Sequence, residues 1–266
     1  MSKLSGVEDT LYIPLTARIY ISEHFPDYFF DEAALALKPE MPYDEIVAKQ
    51  SEYFAFAGAA RFRIVDDMVR NFIAEHSPCN IVNLGCGLET LYFRVKPAPG
   101  SATFFEQYLS DVIETRRAVL GEHIDERLLG GDLFDFGWAD EVDASLPTFI
   151  TVIGVLQYFD DERVRGFLAE AKRRFSGANI VFDAMTHKAI KYANDYIKKT
   201  GNADAELGFG IDDPAQFARE CDIDLVEARP FFTEARKLKG LKLYTRIAMK
   251  VVDEGGRRGF LMHAKL

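Results

Sequence analysis

The sequence predicts an α/β domain built on a mainly parallel β-sheet, and three observations carry that expectation. Strand-like apolar runs alternate with helix-like stripes along most of the chain, the pattern of successive βα units. One of those runs, Asn80–Leu84, leads straight into Gly85-Cys86-Gly87, a turn that brings backbone close to a ligand at the end of a strand. The chain has 266 residues, of which 48% are hydrophobic and 28% charged, enough for a large core without staples.

Taken in order, the first 60 residues depart from the alternation: Tyr12–Ile21 and Pro26–Phe30 read as helical or irregular pieces of an N-terminal cover, residues 1–60. An amphipathic helix follows from about Ala60 to Glu75, with Val65, Met68, Val69, Phe72 and Ile73 at helical spacing. Strands are then expected at Asn80–Leu84, Ala102–Glu106, Arg127–Leu129, Thr148–Ile153 and Asn179–Asp183, with helices at Leu88–Val95 and Leu109–Leu120. Asp160-Asp161-Glu162 opens a further helix, because carboxylates favour a helix N-terminus. Residues 184–222 read as an insertion: a polar helix with Lys188, Lys191, Lys198 and Lys199, glycine-rich chain, and a short helix near Pro214–Glu220. Ile223–Phe231 and Gly259–Leu266 complete seven strands around a helix at Leu241–Val252, which suggests an antiparallel pair closing the sheet. The expectation is a Rossmann-like domain over residues 61–266 beneath the cover.

Composition excludes several classes. Lys plus Arg number 32 against 42 Asp plus Glu, a formal charge of −10 that would repel a phosphate backbone, so no nucleic-acid partner is expected. No apolar run reaches the roughly 18 residues of a membrane span, and MSKLSGVEDTLYIPL lacks the order of a secretory signal. Cys79, Cys86 and Cys221 form no CxxC, which fits reduced thiols in a cytoplasmic protein and no metal site. The 22 Phe are expected in the core.

The glycine turn is the strongest local signal. A dinucleotide fingerprint would place a third glycine at position 90, where Thr90 stands. Glu106 lies about 20 residues beyond the turn, at the end of the second strand, where a carboxylate can accept ribose hydroxyls. This fits a nucleoside ligand without a pyrophosphate, of which S-adenosylmethionine is the usual case; a purely structural turn is the alternative. Asp132, in Gly130-Gly131-Asp132-Leu133, suits an adenine amino group or, equally, a turn cap.

These residues resemble the leucine carboxyl methyltransferase superfamily, most closely its bacterial polyketide O-methyltransferase branch. The matching stretches are Glu8–Arg18, Arg61–Asp66, Asn83–Thr90, Asp111–Arg116 and Gly154–Phe159. The resemblance spans about residues 7 to 183 and continues loosely beyond. It implies a class I methyltransferase fold with S-adenosylmethionine at the carboxyl ends of the strands. By resemblance, Arg61 would pair with the methionine carboxylate, helped by Arg18, since an arginine fork grips a carboxylate bidentately. Gly85, Cys86 and Gly87 would pass under the methionine part, Glu106 and Gln107 would face the nucleoside, and Asp132 with Leu133 would hold the adenine. Ile153 would line the cofactor. Two positions depart from the family pattern: Tyr108 and Ile153 stand where it usually has carboxylates that face the cofactor.

Methyl transfer to a carboxylate needs no general base, whereas a hydroxyl acceptor needs one. His187, His24 and Tyr158 are the candidates for such a group. Tyr12, Tyr20, Tyr158, Tyr192, Tyr196 and Phe209 are candidates to line a substrate pocket between cover and insertion. The expected activity is O-methylation of a carboxylate or hydroxyl on a small, plausibly secondary, metabolite, with homo-oligomerisation left open. Three other readings compete: a repurposed fold that binds a small molecule or catalyses a non-methylating reaction, a nicotinamide-dependent oxidoreductase, and a protein methyltransferase.

Overall fold

The computed structural model describes residues 9–200, 206–255 and 258–266, and the side chains of all of these but 9, 10 and 196–200. Glu8 and the side chains of Tyr196, Lys198 and Lys199 lie outside the described residues. Seven strands form one sheet: β1 (Cys79–Leu84), β2 (Ala102–Tyr108), β3 (Glu126–Gly130), β4 (Thr148–Val152), β5 (Asn179–Met185), β6 (Asp224–Pro230) and β7 (Gly259–Lys265). Their order is β3-β2-β1-β4-β5-β7-β6. Neighbours pair in parallel except at β7, which runs antiparallel to both β5 and β6. The chain order reverses between β1 and β4, and a doubly wound sheet opens its ligand crevice at such a point.

The strand positions follow from sequence chemistry. Central β1 and β4 are buried along their whole length because both faces are covered, so they read as continuous apolar runs. β6 lies at the sheet edge; it carries a register irregularity between Leu225 and Glu227 and ends at Pro230, which cannot donate to a ladder.

Ten α-helices complete the described residues: α1 (Asp9–His24), α2 (Glu32–Leu37), α3 (Tyr43–Val47), α4 (Glu52–His76), α5 (Leu91–Val95), α6 (Ser110–Leu120), α7 (Asp161–Arg174), α8 (His187–Thr200), α9 (Pro214–Glu220) and α10 (Leu243–Glu254). Side-chain caps mark several starts: Asp31 for α2, Ser51 for α4, Asp160 for α7 and Asp213 for α9. Asp160 thus has the helix-start role expected of it. The expected helix at Ala60–Glu75 is the second part of α4, which begins at Glu52 and runs across the 60/61 boundary. Its first turns bury Ala55, Phe56, Gly58, Ala59 and Ala60 against the cover, so no one-sided stripe marks them. Gly58 permits the close crossing of α1, since a Cβ there would lie 2.9 Å from Ala17 Cβ.

The two sheet faces carry separate apolar clusters, one under α4 with Phe104 and Phe149, the other under α7 with Phe167 and Phe182. Most of the abundant phenylalanine is therefore core, although Phe30 and Phe54 are exposed. Within the insertion, Gly208 N donates to Gln157 O (2.8 Å) and Ile211 N to Met185 O (2.8 Å), which ties the segment to the carboxyl ends of β4 and β5. No helix among the described residues is long and apolar enough to cross a membrane.

Candidate functional site

A cavity of about 500 Å³ opens where β1, β2 and β4 end, beneath α1 and beside α4. Its floor is the turn after β1. Gly85 and Gly87 adopt φ of +71° and +49°, values that L side chains rarely reach. Gly85 N and Cys86 N both donate to Gln107 O, at 2.9 and 3.0 Å, which locks the turn to the end of β2. A Cβ at Gly85 would sit 2.2 Å from a methyl of Val155, and one at Gly87 would sit 2.8 Å from Leu11 of the cover. The cradle exists because neither position carries a side chain.

Most of the expected cofactor residues reach this cavity. Arg61, Gly85, Cys86, Gly87, Gln107, Asp132, Leu133 and Ile153 all line it, and so do Tyr108 and Tyr158. Arg61 projects from α4 with its Nε bonded to Ala57 O (3.0 Å) and its Nη1 paired with buried Asp183 on β5. Gln107 donates to Gly131 O (2.6 Å), which fixes its amide between β2 and the loop after β3. Asp132 is a turn cap as well as a rim residue. One carboxylate oxygen accepts from Phe134 N (2.9 Å), and the other lies 3.7 Å from Arg163 Nη2.

Arg18 reaches the wall but is already committed. Nη1 bonds Asp31 (2.7 Å) and Thr90 (2.5 Å), Nη2 bonds Leu88 O (2.7 Å), and the side chain is 1% exposed. These bonds tie the cover to the segment after the glycine turn, while the buried Nε has no hydrogen-bond partner among the described residues.

Glu106 stands apart from the other expected cofactor residues. It does not line the cavity and is fully buried behind it, 3.5 Å from Arg116 Nη2 and accepting from Asn83 Nδ2 at 2.7 Å. Its register neighbours Asn83 and Thr151 line the cavity from the same face of the sheet, so Glu106 sits one side chain behind the wall, enclosed by Asn83 and Arg116. Burial pushes the Glu106 carboxyl up to about 8, against the pull of Arg116. Burial likewise holds the Cys86 thiol well above its usual range, which makes it an inert wall residue.

The candidate bases separate. His187 and His24 do not line the cavity: His187 is an exposed partner of Asp212 (3.0 Å), and His24 bonds Tyr20 O (2.8 Å) while stacking on its ring. Only Tyr158 of the three lines it, half-exposed at the rim. Of the other aromatic candidates, Tyr12 and Phe209 are core residues, and Tyr20 and Tyr192 lie off the cavity wall.

Four polar wall residues escaped the sequence reading as site candidates: Asn83, Glu89, Arg94 and Thr151. Asn83 donates to Glu106 and to Glu89 (3.1 Å) and accepts from Thr151 (3.0 Å). Glu106, Asn83 and Thr151 stand side by side in register across β2, β1 and β4. For Asn83 and Thr151 the available signal was a polar residue near the carboxyl end of a largely apolar strand. Among the described residues no cluster of metal-ligating side chains occurs.

The sheet order and the glycine cradle at its switch point, with a cationic residue beside it, are those of the class I methyltransferase fold. A leucine carboxyl methyltransferase family model matches residues 16–172, more than half of the chain, and the chain belongs to that family. It is 25% identical over 218 residues to the tetracenomycin polyketide synthesis O-methyltransferase TcmP of Streptomyces glaucescens, a match that covers 80% of this chain and 78% of that protein. It is 24% identical over 234 residues to the S-adenosyl-L-methionine-dependent methyltransferase dpfgK of Gibberella zeae, with the same coverage of 80% and 78%. Among solved structures, a family 574 protein from Streptomyces avermitilis superposes with a TM-score of 0.59 at 14% identity, covering 94% of this chain and 96% of that one. The magnesium protoporphyrin IX methyltransferase of Synechocystis, solved with bound S-adenosylhomocysteine, superposes with a TM-score of 0.52 at 10% identity, covering 81% and 88%. These structures share the fold. The cofactor of the family to which the chain belongs is S-adenosylmethionine.

Proposed function

We propose that this methyltransferase transfers the methyl group to an oxygen of a small metabolite, and that the acceptor is a carboxylate before it is a hydroxyl. The observation that carries the reading is the composition of the cavity wall. A cation from α4 stands in it with the glycine cradle, and Asp132 and Leu133 belong to the loop after β3. That donor set fits an amino-acid group joined to a nucleoside. Neither candidate histidine reaches the wall, and Tyr158, the remaining candidate base, is half-exposed at the rim, which favours an acceptor that is ionised at neutral pH without help.

Bound S-adenosylmethionine supplies an electrophilic methyl group for in-line displacement. The protein's part is placement and exclusion of water. Arg61 offers its guanidinium to the carboxylate end of the ligand, and the turn at Gly85 and Gly87 admits the chain of the ligand against the backbone. Leu11 and Pro14 of α1 close the roof, and Tyr158 and Phe159 form apolar wall on the β4 side. TcmP, an O-methyltransferase of polyketide synthesis by name, supports oxygen as the acceptor and a secondary metabolite as the substrate.

Calorimetric titration tests the cofactor half: S-adenosylmethionine and S-adenosylhomocysteine should bind at micromolar concentrations, and NAD should not. Transfer of a labelled methyl group to a panel of carboxylic acids and phenols tests the acceptor half. A carboxylate acceptor gives an ester that releases methanol in mild base, whereas a phenol gives a base-stable ether. If neither adenosyl ligand binds, the repurposed-fold reading replaces this one.

A further inference from the structure

The charge beside Arg61 carries an inference that rests on the reading of the cavity as an S-adenosylmethionine site. Asp183 is 2% exposed and lies on β5, one strand beyond the cavity-forming end of β4. One of its oxygens pairs with Arg61 Nη1, and the other accepts from Gly154 N at 2.7 Å. It therefore joins α4, the turn after β4 and β5 at one point. Position 153, next to that turn, lines the cavity with an apolar isoleucine. Arg61 Nη2 makes no hydrogen bond among the described residues, so one edge of the guanidinium is left for a ligand.

We propose that Asp183 is a positioning and selectivity residue that makes this end of the site specific for a zwitterion. Arg61 and Asp183 together are neutral. A ligand that brings only a carboxylate leaves this half-buried corner with a net charge of −1. One that brings a carboxylate and an ammonium leaves it neutral, and in a partly desolvated site that difference is felt without direct contact. Asp183 also holds Arg61 through Nη1, so the cation cannot swing out to solvent when the ligand leaves.

The test compares three ligands by calorimetry: S-adenosylhomocysteine, its analogue lacking the α-amino group, and 5′-methylthioadenosine, which lacks the amino-acid end. The wild-type protein should prefer S-adenosylhomocysteine to the desamino analogue by about tenfold or more. In Asp183→Asn the corner becomes cationic, and the preference should fall to about threefold or less, with 5′-methylthioadenosine binding within about twofold of wild type. The double variant Ile153→Glu with Asp183→Asn returns a carboxylate from the neighbouring strand and should restore the preference. An unchanged ligand ratio in Asp183→Asn overturns the proposal, because loss of fold alone weakens all three ligands together. A wild-type protein that binds the zwitterion and the desamino analogue equally overturns it without any variant. If wild type binds none of the three, the methyltransferase-site reading fails, and this inference with it.

Discussion

Gly85 is fixed by backbone conformation, hydrogen bonding and packing at once. It ends β1 at φ +71°, donates to Gln107 O, and leaves no room for a methyl group in front of Val155. Gly85→Ala meets both a strained backbone and a contact of 2.2 Å, so it should cost about 1–3 kcal/mol of stability in urea unfolding. The turn is also the cavity floor, so affinity for S-adenosylhomocysteine should fall about tenfold or more. A variant that binds normally would remove the turn from the site. Gly85 and Gly87 were legible because a glycine pair after an apolar strand has a backbone meaning. The burial of Glu106 was not legible, because the spacing rule locates the end of β2 but not that Asn83 and Arg116 enclose the carboxylate behind the wall. The partners of Arg18, namely Asp31, Leu88 and Thr90, are distant in sequence, so only the fold shows that its terminal nitrogens also tie the cover to the domain.

At the scale of elements, a buried ion network fastens the cover to the domain. Asp31, the cap of α2, accepts from Arg18 of α1 and lies 3.3 Å from Arg94 of α5; Arg94 in turn holds Asp66 of α4 at 2.7 Å and Glu89 at 2.5 Å. Burial alone would raise the Asp31 carboxyl, but Arg18 and Arg94 outweigh it and hold the group below its usual range. Removing one member of such a network leaves uncompensated charge in the interior. Asp31→Ala should therefore destabilise the protein by roughly 3–5 kcal/mol, with the lost helix cap included. The same variant should weaken S-adenosylhomocysteine binding, because Arg18 also holds Leu88 O and Thr90 just beyond the cradle. Denaturant unfolding with calorimetry checks both, and a loss under about 1 kcal/mol would show the cover to be independently held. The helices and strands themselves were largely readable, since α9 and the central strands fall within a residue or two of where periodicity puts them. The start of α4 and the continuity of α1 were not, because both are buried on more than one side and α1 contains Pro14.

At the scale of the whole molecule, a chain of formal charge −10 keeps part of its acidity inside. Glu106 and Glu126 pair with Arg116 behind the cavity, with Glu89 nearby on Arg94, and Arg116 also donates to the carbonyls of Gly87 and Glu89. One cation is shared between neighbouring carboxylates, and burial sets the outcome: Glu106 is raised from 4.5 to about 8. In the unfolded chain this carboxyl loses its proton near 4.5, so between that value and about 8 the folded protein holds a proton that the unfolded chain has released. The stability this contributes is fully present below 4.5 and is lost as pH rises through 8. The melting temperature of the wild-type protein should accordingly fall by several degrees between about pH 6 and pH 9, on the order of 1–3 kcal/mol. Glu106→Gln keeps a neutral side chain of the same shape at every pH, and its amide still accepts from Asn83. Its melting temperature should fall less over the same interval, so that the variant gains on wild type as the solution becomes alkaline. Growing net charge destabilises both proteins alike, so it cancels in the difference. Parallel melting curves for the two proteins would mean that Glu106 is ionised in the fold and that Arg116 alone compensates the cluster behind the cofactor cavity.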